Sequence, residues 1–474
     1  GTNSNGMEYD AQIDNEGKGN FNANRQQGGV IGGTNINWDA SWEVKTNKGD
    51  YGWSAEFAIP LNSIRFSPGK NKIWGINFQR NISKNSETVF WSPLPLGFEI
   101  KRLSLAGKMT EINIKNPKNL KIIPYGLVQR INDKANQTKS ANLDTGLDVK
   151  YSLTPGLTLD LTYNTDFAQV EVDDQQINID RFNLFFPEKR SFFLENAGQF
   201  SVGSPGEIDL FFSRRIGLSN DGSIIPIIGG SRVSGKIGQT NIGLLNMYTD
   251  EMISSNIDKN SFTVARINHD FSESRSSFGG IIINKQNIKS NSEYNRVYAL
   301  NGKWGLGKKA EITGFISKSN SPNINSNDHA MKIEGTYNWN GWRLILGYTE
   351  VGEGFNPEVG YLSRNDGFKK SGFLIWKQWR PKNTGKLLEV RPHIANRVFW
   401  NFEKELTTSW THIDNHWVWE SGFEVHTGIN LTTEGVFNDF QISQVKIEQG
   451  EYKNKELQLV IITNPNAKIS YKTT

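Results

Sequence analysis

The stretch MKIEGTYNWNGWRLILGY, residues 331–348, decides the fold. Met331, Ile333, Gly335, Tyr337 and Trp339 alternate with Lys332, Glu334, Thr336 and Asn338, and Asn340-Gly341 then turns the chain into Trp342, Leu344, Leu346 and Tyr348. A period of two puts the two sets on opposite faces of a strand, and Asn-Gly suits the two-residue hairpin turn because both of its positions need positive φ. The pattern recurs outward from there. Leu147, Val149 and Tyr151 oppose Asp148, Lys150 and Ser152; after Thr154-Pro155-Gly156, Leu157, Leu159, Leu161 and Tyr163 oppose Thr158, Asp160, Thr162 and Asn164. Tyr298 to Trp304 and Phe423 to Ile429 repeat it, while no segment of helical length keeps apolar residues at i, i+3, i+4 and i+7. The chain reads as all-β.

Composition narrows the class. At 474 residues the chain exceeds one ordinary core. Without cysteine it has no disulfide framework, thiolate metal cluster or cysteine nucleophile. A net charge of +4, from 53 basic and 49 acidic residues, is too small and too dispersed to point to nucleic acid. No apolar run approaches the length of a spanning helix, which leaves a spanning barrel open. The N-terminal residues have no basic start followed by an apolar stretch, so a secretory signal is expected upstream.

A soluble β-sandwich also alternates, so alternation alone does not choose. Three details favour a membrane barrel from residue 111 to 474. The non-apolar face carries charge in mid-strand, Tyr and Trp gather at strand ends as an interfacial girdle would, and short turns alternate with long polar links such as 317–328. Residues 1–110 differ: short strands punctuated by Pro and Gly read as a β-sandwich, in which Trp38, Trp42, Trp53 and Trp74 are expected in the core. The basic, Pro-interrupted link at 112–121 is the boundary.

Two blocks resemble a known family. WDASWEVKT (38–46), GWSAEFAIPLNSIRF (52–66), WGINFQRNI (74–82) and VFWSP (89–93) are similar to the C-terminal half of a carbohydrate-binding family-nine-like domain. DFAQVEVDDQQINIDRFNLFFPEKRSFFLENAGQF (166–200), FFSRRIG (211–217), GGSRVSGKIG (229–238) and GEGFNPEVGYLSR (352–364) resemble Gram-negative outer-membrane proteins. In that family such a domain is fused to a C-terminal β-barrel domain of unknown function. The resemblance implies an outer-membrane location, contact with outer-membrane lipid, a carbohydrate ligand, and complex partners in the membrane. It also implies calcium near the sandwich, with no ligand identifiable. By the same resemblance the sandwich is incomplete at its N-terminus. The ending AKISYKTT lacks the aromatic terminal residue of a closing strand, so a barrel incomplete at its C-terminus is expected.

Sugar binding needs exposed aromatic rings, and Trp91 is the stacking candidate. The insertion 166–200 concentrates Asp173, Asp174, Glu188 and Glu195 with Arg190 among phenylalanines. Paired carboxylates could hydrolyse glycosides, with Glu188 or Glu195 as the acid. The more economical reading is a folded insertion, in or beneath the lumen, whose charges pair internally. Among the six histidines, His412 and His416 are four apart but lack the glutamate of a helical zinc motif, so no metal site is expected. The sequence thus points to glycan binding or uptake, with a membrane-associated glycoside hydrolase and a structural partner in an outer-membrane complex as alternatives.

Overall fold

The computed structural model describes residues 30–31, 34–35, 42–59, 69–82, 87–95, 100, 105–114, 120–133, 138–165 without 155, and 183–473 apart from short stretches at 187, 189, 195, 220–223, 254–255, 272, 323, 325, 383, 443 and 465–468. From Leu120 onward, seventeen strands close into an antiparallel barrel, each hydrogen-bonded to the next in chain order. The last place in the ring is taken by Lys472–Thr473, only two residues long, beside Gly450–Ile462. Typical strands, such as Thr240–Thr249 with 10 residues and Leu406–Trp419 with 14, meet the roughly 9–11 tilted residues that a membrane-spanning strand needs.

The hairpin at 331–348 forms as its sequence dictates. Trp339 pairs with Trp342, and the turn residues Asn340 and Gly341 take φ of 47° and 78°. Ile333 and Leu346 point outward and are exposed, Leu346 by 69%. Leu244, Ile267, Ile282, Leu300, Ile316, Ile375, Ile413 and Leu459 continue this outward apolar band around the ring, with Trp304, Trp339 and Trp342 at strand ends.

The inward face is not uniformly polar. Leu245, Met247, Phe262, Val264, Ile281, Ile283, Val297, Phe315 and Val351 face inward and are buried. They pack against a plug formed by the described residues of 183–225 and by 352–367, in the two connections that leave the strands on the long-loop side. Phe192, Phe193, Phe200, Ile208, Leu210, Ile216, Phe355 and Val359 supply the plug's share of this core. The plug is stitched by a small sheet, Gly203–Ser204 with Ile208–Asp209 with Tyr361–Leu362, which joins its two segments.

The N-terminal region consists, among the described residues, of separate two-stranded sheets: Val30–Ile31 with Thr34–Asn35, Glu43–Gly49 with Gly52–Ala58, Gly69–Ile76 with Gly107–Ile114, and Gln79–Ile82 with Glu87–Phe90. Trp53, expected in a core, is instead 60% exposed, with the Arg80 guanidinium 5.4 Å from its ring centre. A ladder with no second layer against it among the described residues has no interior in which to bury the ring. Trp42 and Trp74 are half-buried, and Trp38 lies outside the described residues.

Leu346→Arg should destabilise the membrane-inserted barrel by about 2–4 kcal/mol near the midplane. Lys303→Gln, on the lumenal face opposite the outward Trp304, should stay within about 0.5 kcal/mol, as read by urea unfolding in lipid vesicles.

Candidate functional site

The lumen contains two chemically distinct zones, the plug with its anchors and a cluster of imidazoles on the facing wall. Within the plug, Glu188 and Arg190 form a fully engaged buried pair. Glu188 Oε1 accepts from Arg190 Nε at 2.8 Å and from its backbone N–H at 3.0 Å; Oε2 accepts from Arg190 Nη2 at 2.7 Å and from Ser213 Oγ at 2.8 Å. Arg190 also donates to the carbonyls of Ile216 and Ser213 and lies 4.2 Å over the Phe193 ring. Burial alone would raise the Glu188 pKa, but the Arg190 charge and these hydrogen bonds outweigh it and hold the carboxyl ionised below its usual range. Both oxygens are committed, so Glu188 ties the plug together rather than presenting an acid to a solute. Glu195, Asp173 and Asp174 lie outside the described residues.

Charged groups anchor the plug to the wall. Glu207, in the turn after Ser204, forms an ion pair with Lys370 of the wall strand Phe368–Lys377, and Lys332 donates to Ser204 Oγ at 3.2 Å. On another part of the wall Arg232 holds Asp160 at 2.8 Å and donates to the Phe192 carbonyl of the plug. Asn295 donates to the carbonyl of Asn356 at 2.7 Å and accepts from the Glu358 backbone N–H, and Lys285 pairs with Glu358 at 2.8 Å. Arg364 lies 3.9 Å over Phe399 and reaches Thr408 Oγ1 at 3.3 Å. Between these anchors sits Asp209, whose pKa is raised to about 7 by burial, with only a backbone hydrogen bond from Gly206 at 2.8 Å opposing the shift.

The second zone escapes linear reading. His393, on Leu387–Trp400, pairs across the ladder with Asp414 on Leu406–Trp419, and His416 stands two residues further on the same face. One ligand atom from each of the three lies within 4.8 Å of the other two. Asp414 Oδ2 accepts from His416 Nε2 at 3.0 Å and lies 3.5 Å from His412 Nε2. His426, on the next strand, stacks on His416 with 3.6 Å between ring centres, and Trp376 lies 4.5 Å from His393. The His412–His416 spacing matches no metal motif and does not by itself show this grouping. The strand period, which gives His412, Asp414 and His416 one face, is the signal that reveals it.

Outside the barrel, Trp91 is 61% exposed, edge-on to Phe78 at 6.0 Å, with its ring against Gly107. A Cβ on Gly107 would meet that ring at 2.2 Å, so glycine is what lets the indole lie flat there.

These features define an outer-membrane-type β-barrel with a plugged lumen. The chain belongs to the family described as Domain of unknown function (DUF5916), which matches residues 116–474. No curated protein matches the sequence. Among solved structures it is similar to a bacterial polysaccharide outer membrane secretin, at 8% identity and a TM-score of 0.30, over 72% of this chain and 96% of that one. It is also similar to OpdL of Pseudomonas aeruginosa, at 8% and 0.32 over 75% and 88%, and to the outer membrane protein OprD of the same organism, at 10% and 0.32 over 77% and 86%.

The raised Asp209 pKa carries a signed consequence. Because the folded protein holds that proton more tightly than the unfolded chain, ionisation works against the plug as pH rises from about 4 to about 7. Asp209→Asn should remove this slope, so that thermal stability of the detergent-solubilised barrel varies less across that window than in the unsubstituted chain.

Proposed function

We infer that this chain is a gated barrel of a Gram-negative outer membrane that binds and admits a polar solute, a glycan in the first instance, without cleaving it. The observation that carries the reading is the Glu207–Lys370 pair. It is a half-buried, charge-based link between plug and wall, set beside the apolar core that also joins them. Lys332 and Ser204 extend this polar seam. The outward apolar band suits a lipid covering. On the N-terminal side Trp91 offers an exposed ring of the type that stacks on pyranose faces, within the domain that resembles carbohydrate-binding modules. A hydrolase reading gains no comparable support, because the one described acid candidate has both oxygens engaged.

Conductance of the purified chain in planar bilayers tests the gate. Glu207→Gln and Lys370→Met each remove one partner of this half-buried pair and should raise open-channel events. The double variant should return toward the unsubstituted level. Single variants that insert normally and conduct no more than the unsubstituted chain would contradict the gate.

Trp91→Ala should weaken binding of soluble oligosaccharides to the chain, measured on a glycan array, without altering insertion. Unchanged binding across the array, or no binding by the unsubstituted chain, would remove the glycan from the reading.

A further inference from the structure

We propose that His393, Asp414 and His416 form a binding site for a divalent transition metal of the zinc class on the lumenal wall. The argument begins with lone pairs. His393 Nδ1 is 3.1 Å from the Arg391 carbonyl, which can only accept, so Nδ1 carries the proton and Nε2 keeps its lone pair. His416 donates Nε2–H to Asp414 Oδ2, which leaves the lone pair on Nδ1, and that atom is buried without a hydrogen-bond partner. Asp414 is 8% exposed, and its Oδ1 is likewise buried without a partner. Of these unused acceptors, His416 Nδ1 and Asp414 Oδ1 are buried, where leaving one unmatched costs about 1–3 kcal/mol. His416 Nδ1 points away from Asp414, so a cation shared by all three residues takes the place of the proton between His416 Nε2 and Asp414 Oδ2 and is completed by His393 Nε2.

The geometry is close to what such an ion needs. Ligand atoms within 4.8 Å of one another must draw in to about 3.4 Å around a centre with bonds of about 2.0–2.2 Å, which side-chain rotation supplies. The backbone ladder fixes the rest: His393 is directly opposite Asp414, and His416 shares its face. The site also has its outer supports. The Arg391 carbonyl orients His393, His412 Nε2 approaches Asp414 Oδ2, and the Trp376 and His426 rings flank the two ligand imidazoles. Two imidazoles and one carboxylate favour zinc-like ions over calcium or magnesium, which prefer all-oxygen sites. Three protein ligands leave the fourth tetrahedral position to water or to a solute oxygen in the lumen.

The untagged full chain, folded in detergent and stripped with a chelator, is titrated with Zn²⁺ by calorimetry and with Co²⁺ by visible absorption. One Zn²⁺ per chain is expected, with Co²⁺ bands of a low-symmetry nitrogen and oxygen site. His393→Ala and His416→Ala should each weaken Zn²⁺ by more than about 100-fold, beyond the loss from an outer-shell partner. His329→Ala, whose ring pairs with Glu350 away from the cluster, should leave binding unchanged. Absence of binding by the unsubstituted chain overturns the proposal, as does equal affinity in His393→Ala and His416→Ala chains that keep heat-modifiable migration. Should those variants fail to fold, Zn²⁺ must still protect His393 and His416 from acylation in the unsubstituted chain, mapped by peptide mass spectrometry. Unprotected histidines overturn the site.

Discussion

Closing seventeen strands pairs the long strands edge to edge around the ring but encloses more space than wall side chains can fill. The space must hold either water or protein, and much of this structure follows from how it is divided. On one part of the wall, inward apolar residues from Leu245 to Val351 require an apolar partner, and the plug supplies it. Elsewhere the inward residues are charged or imidazole-bearing and suit water, ions or a polar solute.

The plug depends on the same constraint. Its segments are short on regular structure, with a four-residue helix at Ser191–Leu194 and two-residue strands, so its shape comes from burial and ion pairing rather than from long ladders. Arg190 organises it internally through Glu188 and two main-chain carbonyls, and Glu207 joins it to Lys370 outside. Each cation is desolvated and compensated by named acceptors, so the assembly is sensitive to losing either partner alone.

The sequence legibly encodes the barrel wall wherever one strand face meets lipid and the other meets a polar lumen. At 331–348 alternation and the Asn-Gly turn suffice. It is less legible where the plug covers the inner face: Ile281-Ile282-Ile283 is a continuous apolar run because Ile281 and Ile283 pack inward while Ile282 faces out. The pairing of Glu188 with Arg190 could be argued from their proximity in a charged aromatic run, but the plug's second segment at 352–367 is distant in sequence and is joined to the first by long-range contacts, among them the sheet through Tyr361–Leu362 and the Tyr361 hydroxyl on the Asn183 carbonyl. The imidazole cluster is not legible in the His412–His416 spacing, because that pair lacks a known metal motif and the cluster is completed from neighbouring strands. His393 enters through register, which a single sequence does not display.

The most direct measurement asks whether the lumen is filled. The chain has no cysteine, so Val264→Cys introduces one thiol at an inward position that is 0% exposed, and Ile253→Cys places one in a connection where the native side chain is 87% exposed. A membrane-impermeant thiol reagent should label Ile253→Cys rapidly and leave Val264→Cys unlabelled, until residues 183–225 are replaced by a short Gly-Ser link. Labelling of Val264→Cys as fast as Ile253→Cys in the chain with its plug segment intact would contradict the plugged barrel.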